Sequence, residues 1–169
     1  MRSIKGCRRR NIVRIVRTES TTLRIRSGPD IEPIARLASE LDFYIVIIDP
    51  RSDRCNERNF PTADKRLIEH PESYLQNNSI PYNSFVLIMT HSFQRDQHIL
   101  RKLMDTPPRY LGVLGSKLRI ERLMFPDPLP DWLHAPVGLS IGAEGPEEIS
   151  VSIMAELLKI KNTTTAKHR

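Results

Sequence analysis

The pattern with the clearest chemical meaning is a glycine turn followed, 21 residues later, by a carboxylate. Gly28 lies in the turn Ser27-Gly28-Pro29-Asp30, and Asp49 ends an apolar run over residues 43–48. In nucleotide-binding proteins such a turn lets the backbone approach a diphosphate, and an acid about 20 residues on binds ribose hydroxyls. Because Arg26 stands where the first glycine would lie, a plain turn and an Asp closing a strand explain these residues equally well.

Thr90 and His91 form a second candidate group, directly after the apolar run 84–89. A hydroxyl and an imidazole at the end of a strand could contact a ligand's phosphate or take part in proton transfer. Alternatively, His91 caps the following helix or binds a loop carbonyl. The histidine is the one residue here that could serve an enzymatic reaction.

Two glycine-containing segments complete the set of candidates. Gly112, Gly115 and Ser116 precede a basic helix, and Gly138 and Gly142 precede a helix that begins with Pro146. Glycines before a helix permit close approach of an anion to the backbone. A capped turn and a tight loop account for both segments as well.

Several classes of site are missing from the sequence. There is no nucleophile elbow, HExxH motif, Walker loop or His/Cys cluster. Cys7 and Cys55 are far apart and form no CxxC, so we expect neither a disulfide framework nor a metal site. We therefore predict no catalytic or metal-ligating residues and a reducing, cytoplasmic location.

Strand-like and helix-like segments alternate from residue 21 onward, which positions these candidates at the ends of strands. The predicted strands cover residues 21–25, 43–48, 65–68, 84–89, 110–114 and 137–141. The predicted helices cover residues 31–41, 94–104, 117–124 and 146–161. This order predicts an α/β, Rossmann-like fold, with a mostly parallel sheet and helices on both faces. The unbroken apolar character of 43–48, 84–89 and 110–113 predicts that these strands are central and buried.

Positive charge is concentrated at the start of the chain. Residues 1–26 contain nine Lys/Arg and one acid, whereas the other 143 residues contain 17 Lys/Arg and 19 acids. We predict a basic, flexible arm over residues 1–20, one domain over 21–161 and a frayed tail over 162–169. Because no aromatic residue interleaves with the arginines, we do not expect nucleic-acid binding. No apolar run is long enough for a membrane span.

Five segments together resemble the carboxyl-terminal Rossmann domain of the XdhC-like family, accessory proteins of xanthine dehydrogenase. They occur in the family's order and spacing between about Thr21 and Lys161: SGPDIEPIARLASELDFYIVIIDPR, NERNFPTAD, VLIMTHSFQRDQHIL, RYLGVLGSKLRIERL and HAPVGLSIGAEGPEEISVSIMAEL. The family's cofactor-binding positions fall on residues at the strand ends and in the glycine loops: Gly28, Asp49, Arg51, Thr90, His91, Gly112, Gly115, Ser116, Gly138 and Gly142.

The resemblance implies an accessory role rather than an enzymatic one. Family members hold molybdenum cofactor during sulfuration and deliver it to a molybdenum hydroxylase such as xanthine dehydrogenase. The implied ligand is molybdenum cofactor (molybdopterin) or an NAD(P)-like nucleotide. The implied partners are the hydroxylase, a cofactor sulfurase and a separately encoded amino-terminal XdhC domain, and a homodimer is compatible with this role.

The chain departs from the family's pattern in three ways. Arg26 replaces a turn glycine, Ser140 replaces an Asp, and residues 1–20 do not resemble the family's Cys-containing amino-terminal domain. Two alternatives to the accessory role therefore stay open. One is a nucleotide-dependent oxidoreductase, and the other is a truncated, vestigial domain without activity.

Overall fold

A five-stranded parallel sheet lies at the centre of the computed structural model, which describes residues 22–25, 29–90 and 92–165. The strands are β1 (Thr22–Ile25), β2 (Tyr44–Ile48), β3 (Lys65–Leu67), β4 (Phe85–Ile88) and β5 (Tyr110–Val113). Their order is β3-β2-β1-β4-β5, and every neighbouring pair is parallel. The predicted arm, Gly28 and His91 lie outside the described residues.

Helices cover both faces of the sheet, which confirms the predicted fold class. They are α1 (Glu32–Glu40, after a 3₁₀ turn at Pro29–Ile31), α2 (Pro71–Asn77), α3 (Phe93–Met104), α4 (Lys117–Met124) and α5 (Gly145–Thr165). The α1 and α5 helices pack on one face, against Ile45, Phe85 and Leu87. The α3 and α4 helices pack on the other face, against Val86 and Leu111. Alternate residues of β4 thus serve opposite core layers, as the strand's period of two requires.

The sequence did not predict the helix α2. The helix follows His70 and begins with Pro71 and Glu72. A proline and an acid are both favoured in the first turn of a helix. The α5 helix continues to Thr165, four residues beyond its predicted end at Lys161. Among the described residues, no helix has the length and apolar character needed to cross a membrane.

The predicted strand over Val137–Ile141 is wrong, because these residues form a loop. Gly138 and Gly142 have positive φ angles of 99° and 70°, which interrupt extended backbone. The segment just before them instead runs beside β5. There the backbone N–H of His134 donates to the carbonyl oxygen of Leu111, and the backbone N–H of Val137 donates to the carbonyl oxygen of Val113, each at 3.0 Å.

The predicted central position of the strand at Tyr110–Val113 is also wrong, because β5 is an edge strand of the sheet. Its four residues are nevertheless buried. The segment 133–137 covers the free edge, and helices cover both faces, so the burial that indicates a central strand has a different cause here.

Gly138 offers a direct test of how this loop packs on α5. A Cβ atom at Gly138 would lie 2.5 Å from Ser152 Oγ, whereas one at Gly142 would meet nothing within 4 Å. We expect Gly138→Ala to lower the free energy of unfolding by about 3 kcal/mol, through backbone strain and this clash. Gly142→Ala, the control, should cost about 1 kcal/mol from its backbone alone. Urea unfolding measures both, and equal losses would contradict the packing.

Candidate functional site

The strand order places a topological switch point between β1 and β4. The chain fills the sheet outward from β1 through β2 to β3, and then crosses back to place β4 on the other side of β1. Because all five strands are parallel, their carboxyl ends lie at one edge, here called the carboxyl edge. Ligands of open α/β sheets bind in the crevice outside this edge, where the strand order reverses.

Asp49 and Arg51, at the end of β2, form a bidentate ion pair at the carboxyl edge. Arg51 Nε donates to Asp49 Oδ1 at 2.9 Å, and Nη2 donates to Oδ2 at 3.0 Å. The backbone N–H of Arg51 also donates to Oδ1, at 2.9 Å. Asp49 is completely buried, whereas the Arg51 side chain is 46% exposed. The hydrogen bonds to Asp49 raise the pKa of Arg51, which keeps the guanidinium charged.

Thr90, at the end of β4, belongs to a buried polar network. Its hydroxyl contacts Asp96 Oδ1, and the N–H of Ser92 donates to Thr90 Oγ1 at 3.1 Å. Arg119 Nη2 donates to the other Asp96 oxygen at 2.5 Å. Asp96 comes from the first turn of α3 and Arg119 from α4, so the network joins both helices to the strand end. It thereby fixes the part of the carboxyl edge between β4 and β5.

Gly115 and Ser116 also lie at this edge, between β5 and α4. Ser116 is the N-cap of α4, and its Oγ accepts from the N–H of Arg119 at 3.3 Å. The side chain of Ser116 remains exposed to solvent. A capped helix start beside the Arg119 guanidinium is a favourable environment for an anion.

The structure places Gly112 and Gly138 in packing contacts. A Cβ atom at Gly112 would lie 2.7 Å from Val137 Cγ2, so this glycine lets the segment 133–137 approach β5. Gly138 packs against α5 at Ser152. Gly142 is exposed in the loop before α5. Of the ten predicted site residues, five lie at the carboxyl edge: Asp49, Arg51, Thr90, Gly115 and Ser116. Gly28 and His91 lie outside the described residues.

A second polar cluster centres on Glu156 of α5. Tyr110 Oη donates to Glu156 Oε2 at 2.6 Å, and the N–H of Gly138 donates to the same oxygen at 2.8 Å. His134 Nδ1 lies 2.9 Å from Oε1, and its ring stacks on Tyr110 with centroids 4.4 Å apart. Burial acts to raise the pKa of Glu156, but the hydrogen bonds from His134, Tyr110 and Gly138 lower it overall. The cluster joins α5, β5 and the loop that contains Gly138.

Comparison with known proteins identifies the family. A family model described as the XdhC Rossmann domain matches residues 25–157. The chain belongs to the XdhC Rossmann domain family. A Bacillus subtilis (strain 168) protein, named as a probable subunit of xanthine dehydrogenase, is 38% identical over 135 residues, which are 80% of this chain and 41% of that protein. The Escherichia coli (strain K12) protein YqeB is 36% identical over 150 residues, which are 82% of this chain and 27% of that protein.

A solved structure supports the same assignment. A crystal structure of a xanthine dehydrogenase from Bacillus halodurans superposes with a TM-score of 0.80 at 43% identity, covering 85% of this chain and 43% of that one. This XdhC Rossmann domain thus spans less than half of the length of each of these relatives. The resemblance to the carboxyl-terminal Rossmann domain of the XdhC-like family is confirmed.

Sequence reasoning missed Asp96 and Glu156. Asp96 lies in the first turn of a helix, where an acid is common because it complements the helix dipole, so nothing marked it as buried. Glu156 carried a usable signal, because no other acid follows Glu148 and its neighbours are mostly apolar. A single acid on an apolar helical face indicates a buried, hydrogen-bonded carboxylate.

The lowered pKa of Glu156 predicts a dependence of stability on pH. Its ionised form stabilises the fold above the unfolded-state pKa of about 4.3, and this contribution is lost as the pH falls through the lower folded-state value. We expect Glu156→Gln to lower the free energy of unfolding by about 2 kcal/mol at neutral pH. Urea unfolding at about pH 7 and about pH 3.5 should show this difference shrinking in acid.

The matched control for this measurement is Glu121→Gln, at an exposed position of α4. Its effect should stay within about 0.5 kcal/mol at both pH values. If the cost of Glu156→Gln is the same in acid as at neutral pH, the stabilising role of the ionised carboxylate is wrong.

Proposed function

We propose that this domain holds molybdenum cofactor at the carboxyl edge of its sheet and transfers it to a molybdenum hydroxylase such as xanthine dehydrogenase. The names of the Bacillus subtilis and Bacillus halodurans relatives support a role linked to xanthine dehydrogenase. Molybdenum is the cargo in this proposal. The other proposed partners are a cofactor sulfurase and a separately encoded amino-terminal domain, all in the cytoplasm.

The donor groups at the carboxyl edge fit the phosphate-bearing end of this cofactor, which is a phosphorylated pterin. Arg51 and Arg119 supply guanidinium groups there, and Ser116 supplies an exposed hydroxyl at the start of α4. Arginine forms planar, charge-assisted hydrogen bonds with phosphate. An NAD(P)-like nucleotide carries the same kind of group and is the alternative ligand.

One observation carries the transfer role: exposed apolar side chains lie at the same edge of the sheet as the proposed ligand site. We call them the apolar rim, and they are Ile68, Phe93, Leu118 and Ile141. Ile68 follows β3, Phe93 opens α3, Leu118 lies in the first turn of α4, and Ile141 lies in the loop before α5. All four are therefore at the carboxyl edge, and they are between 39% and 59% exposed.

An apolar rim around a polar site is suited to a cofactor carrier. Clustered exposed apolar groups mark surfaces that bind proteins. A client protein that covers the rim would exclude water from the site while the cofactor moves between the two proteins. A carrier that only released cofactor into solution would need no such surface, so the rim favours direct transfer to the hydroxylase.

Reconstitution of a cofactor-free xanthine dehydrogenase by the cofactor-loaded domain tests the proposal. The double variant Phe93→Ser/Leu118→Ser removes two members of the apolar rim and leaves Arg51 and Arg119 in place. We expect it to bind cofactor as the wild type does but to activate the enzyme at least about tenfold more slowly, because the lost apolar area weakens docking.

The control is Phe125→Ser, after the end of α4 at the opposite edge of the sheet, where the side chain is also exposed. This variant should activate the enzyme at the wild-type rate. The proposal is wrong if the loaded wild-type domain does not activate the enzyme. The docking role of the rim is wrong if the double variant activates it as fast as the wild type.

A further inference from the structure

We infer that the end of β2 recognises a phosphomonoester through Arg51, which Asp49 positions from behind. This inference rests on the proposed function only in placing the ligand at the carboxyl edge. It assigns the two residues different roles, one contacting the ligand and one holding its neighbour. It also specifies the chemical class of the group that binds there.

Complete burial keeps a ligand's ribose hydroxyls away from Asp49 in this arrangement. The carboxylate is completely buried, and its oxygens accept from Arg51 Nε, Nη2 and the backbone N–H. A hydroxyl could reach it only if the ion pair opened. Opening would leave a buried carboxylate without its charged partner, which is strongly unfavourable.

Arg51 is the member of the pair that a ligand can reach. Its side chain is 46% exposed, at the position following β2 where nucleotide-binding sheets distinguish a ribose hydroxyl from a ribose phosphate. There an acid reads the hydroxyl and an arginine accommodates the phosphate. Here the acid is buried beneath the arginine, so the group presented to a ligand is cationic.

Asp49 also gives the guanidinium a fixed orientation. A bidentate pair through Nε and Nη2 restrains the whole planar group, because the five N–H bonds of arginine have fixed directions. Less conformational entropy is then lost when a phosphate binds. A positioned guanidinium suits a phosphomonoester, whose terminal oxygens accept parallel hydrogen bonds.

Two ligands can supply this chemistry: the terminal phosphate of molybdopterin and the 2′-phosphate of NADPH. Calorimetry with two matched pairs distinguishes them, namely molybdopterin against its dephosphorylated form, and NADPH against NADH. We expect the phosphorylated member of at least one pair to bind wild-type protein about tenfold or more tightly than its partner. The pair that shows the preference identifies the source of the phosphate.

Variants then assign the preference to the ion pair. Arg51→Met should abolish the phosphate preference, so that the phosphorylated and unphosphorylated ligands bind with about equal affinity. Asp49→Asn should reduce the preference only partly, because the arginine remains but is held less firmly. Asp49→Asn/Arg51→Met removes both charges, so it provides a form without a buried, unpaired carboxylate if Arg51→Met does not fold. Arg58→Met, at an exposed position in the same loop, is the control and should keep the full preference.

The inference is overturned if neither phosphorylated ligand is preferred, if no ligand binds the wild type, or if the preference persists without Arg51. The first and third of these results leave the transfer experiment unaffected, since that experiment measures activation of xanthine dehydrogenase. A wild-type domain that binds no ligand would reject the proposed function as well. Conversely, a phosphate preference that depends on Arg51 but is accompanied by no enzyme activation would retain the inference and reject the proposed function.

Discussion

The crossover from β3 back to β4, on the far side of β1, determines where a ligand can reach this domain. If every new strand of a parallel sheet were added on the same side, each connection between strands would pass over the ends of the strands and cover them. In open α/β sheets, a reversal of the filling direction separates the connections on either side of it and opens a crevice between them. The reversal in this sheet lies between β1 and β4. The candidate groups on β2, β4 and α4 lie at the same edge because all the strands are parallel, and the reversal in strand order favours ligand binding at that edge.

Two carboxylates, the buried Asp96 and the partly buried Glu156, hold neighbouring elements of the fold in place. Asp96 binds Thr90 and Arg119, which ties α3 and α4 to the end of β4. Glu156 binds Tyr110, Gly138 and His134, which ties α5 to β5 and to the segment that covers the free edge of the sheet. In each case the carboxylate accepts hydrogen bonds from separate elements, so a single residue sets the relative positions of several parts of the fold.

Much of the fold follows from local sequence patterns, whereas the chemistry of the site does not. Apolar runs predicted β2 and β4, because a parallel strand buried on both faces needs unbroken apolar sequence. The same rule misplaced β5, since a covered edge strand is equally apolar. The roles of Asp49 and Arg51 depend on which side chain is buried beneath the other. That order is a property of tertiary packing, and the spacing of the two residues in the sequence does not express it.

The roles of Asp49 and Arg51 can be seen in a crystal structure of the domain with a bound phosphomonoester ligand, either molybdopterin or NADPH. We expect the ligand to lie across the ends of β1 and β4. Its terminal phosphate should lie within about 3 Å of the Arg51 guanidinium nitrogens, with Asp49 still buried behind them. A ligand that binds away from the carboxyl edge, or one whose hydroxyls contact Asp49 while Arg51 turns away, would contradict the roles assigned to Asp49 and Arg51.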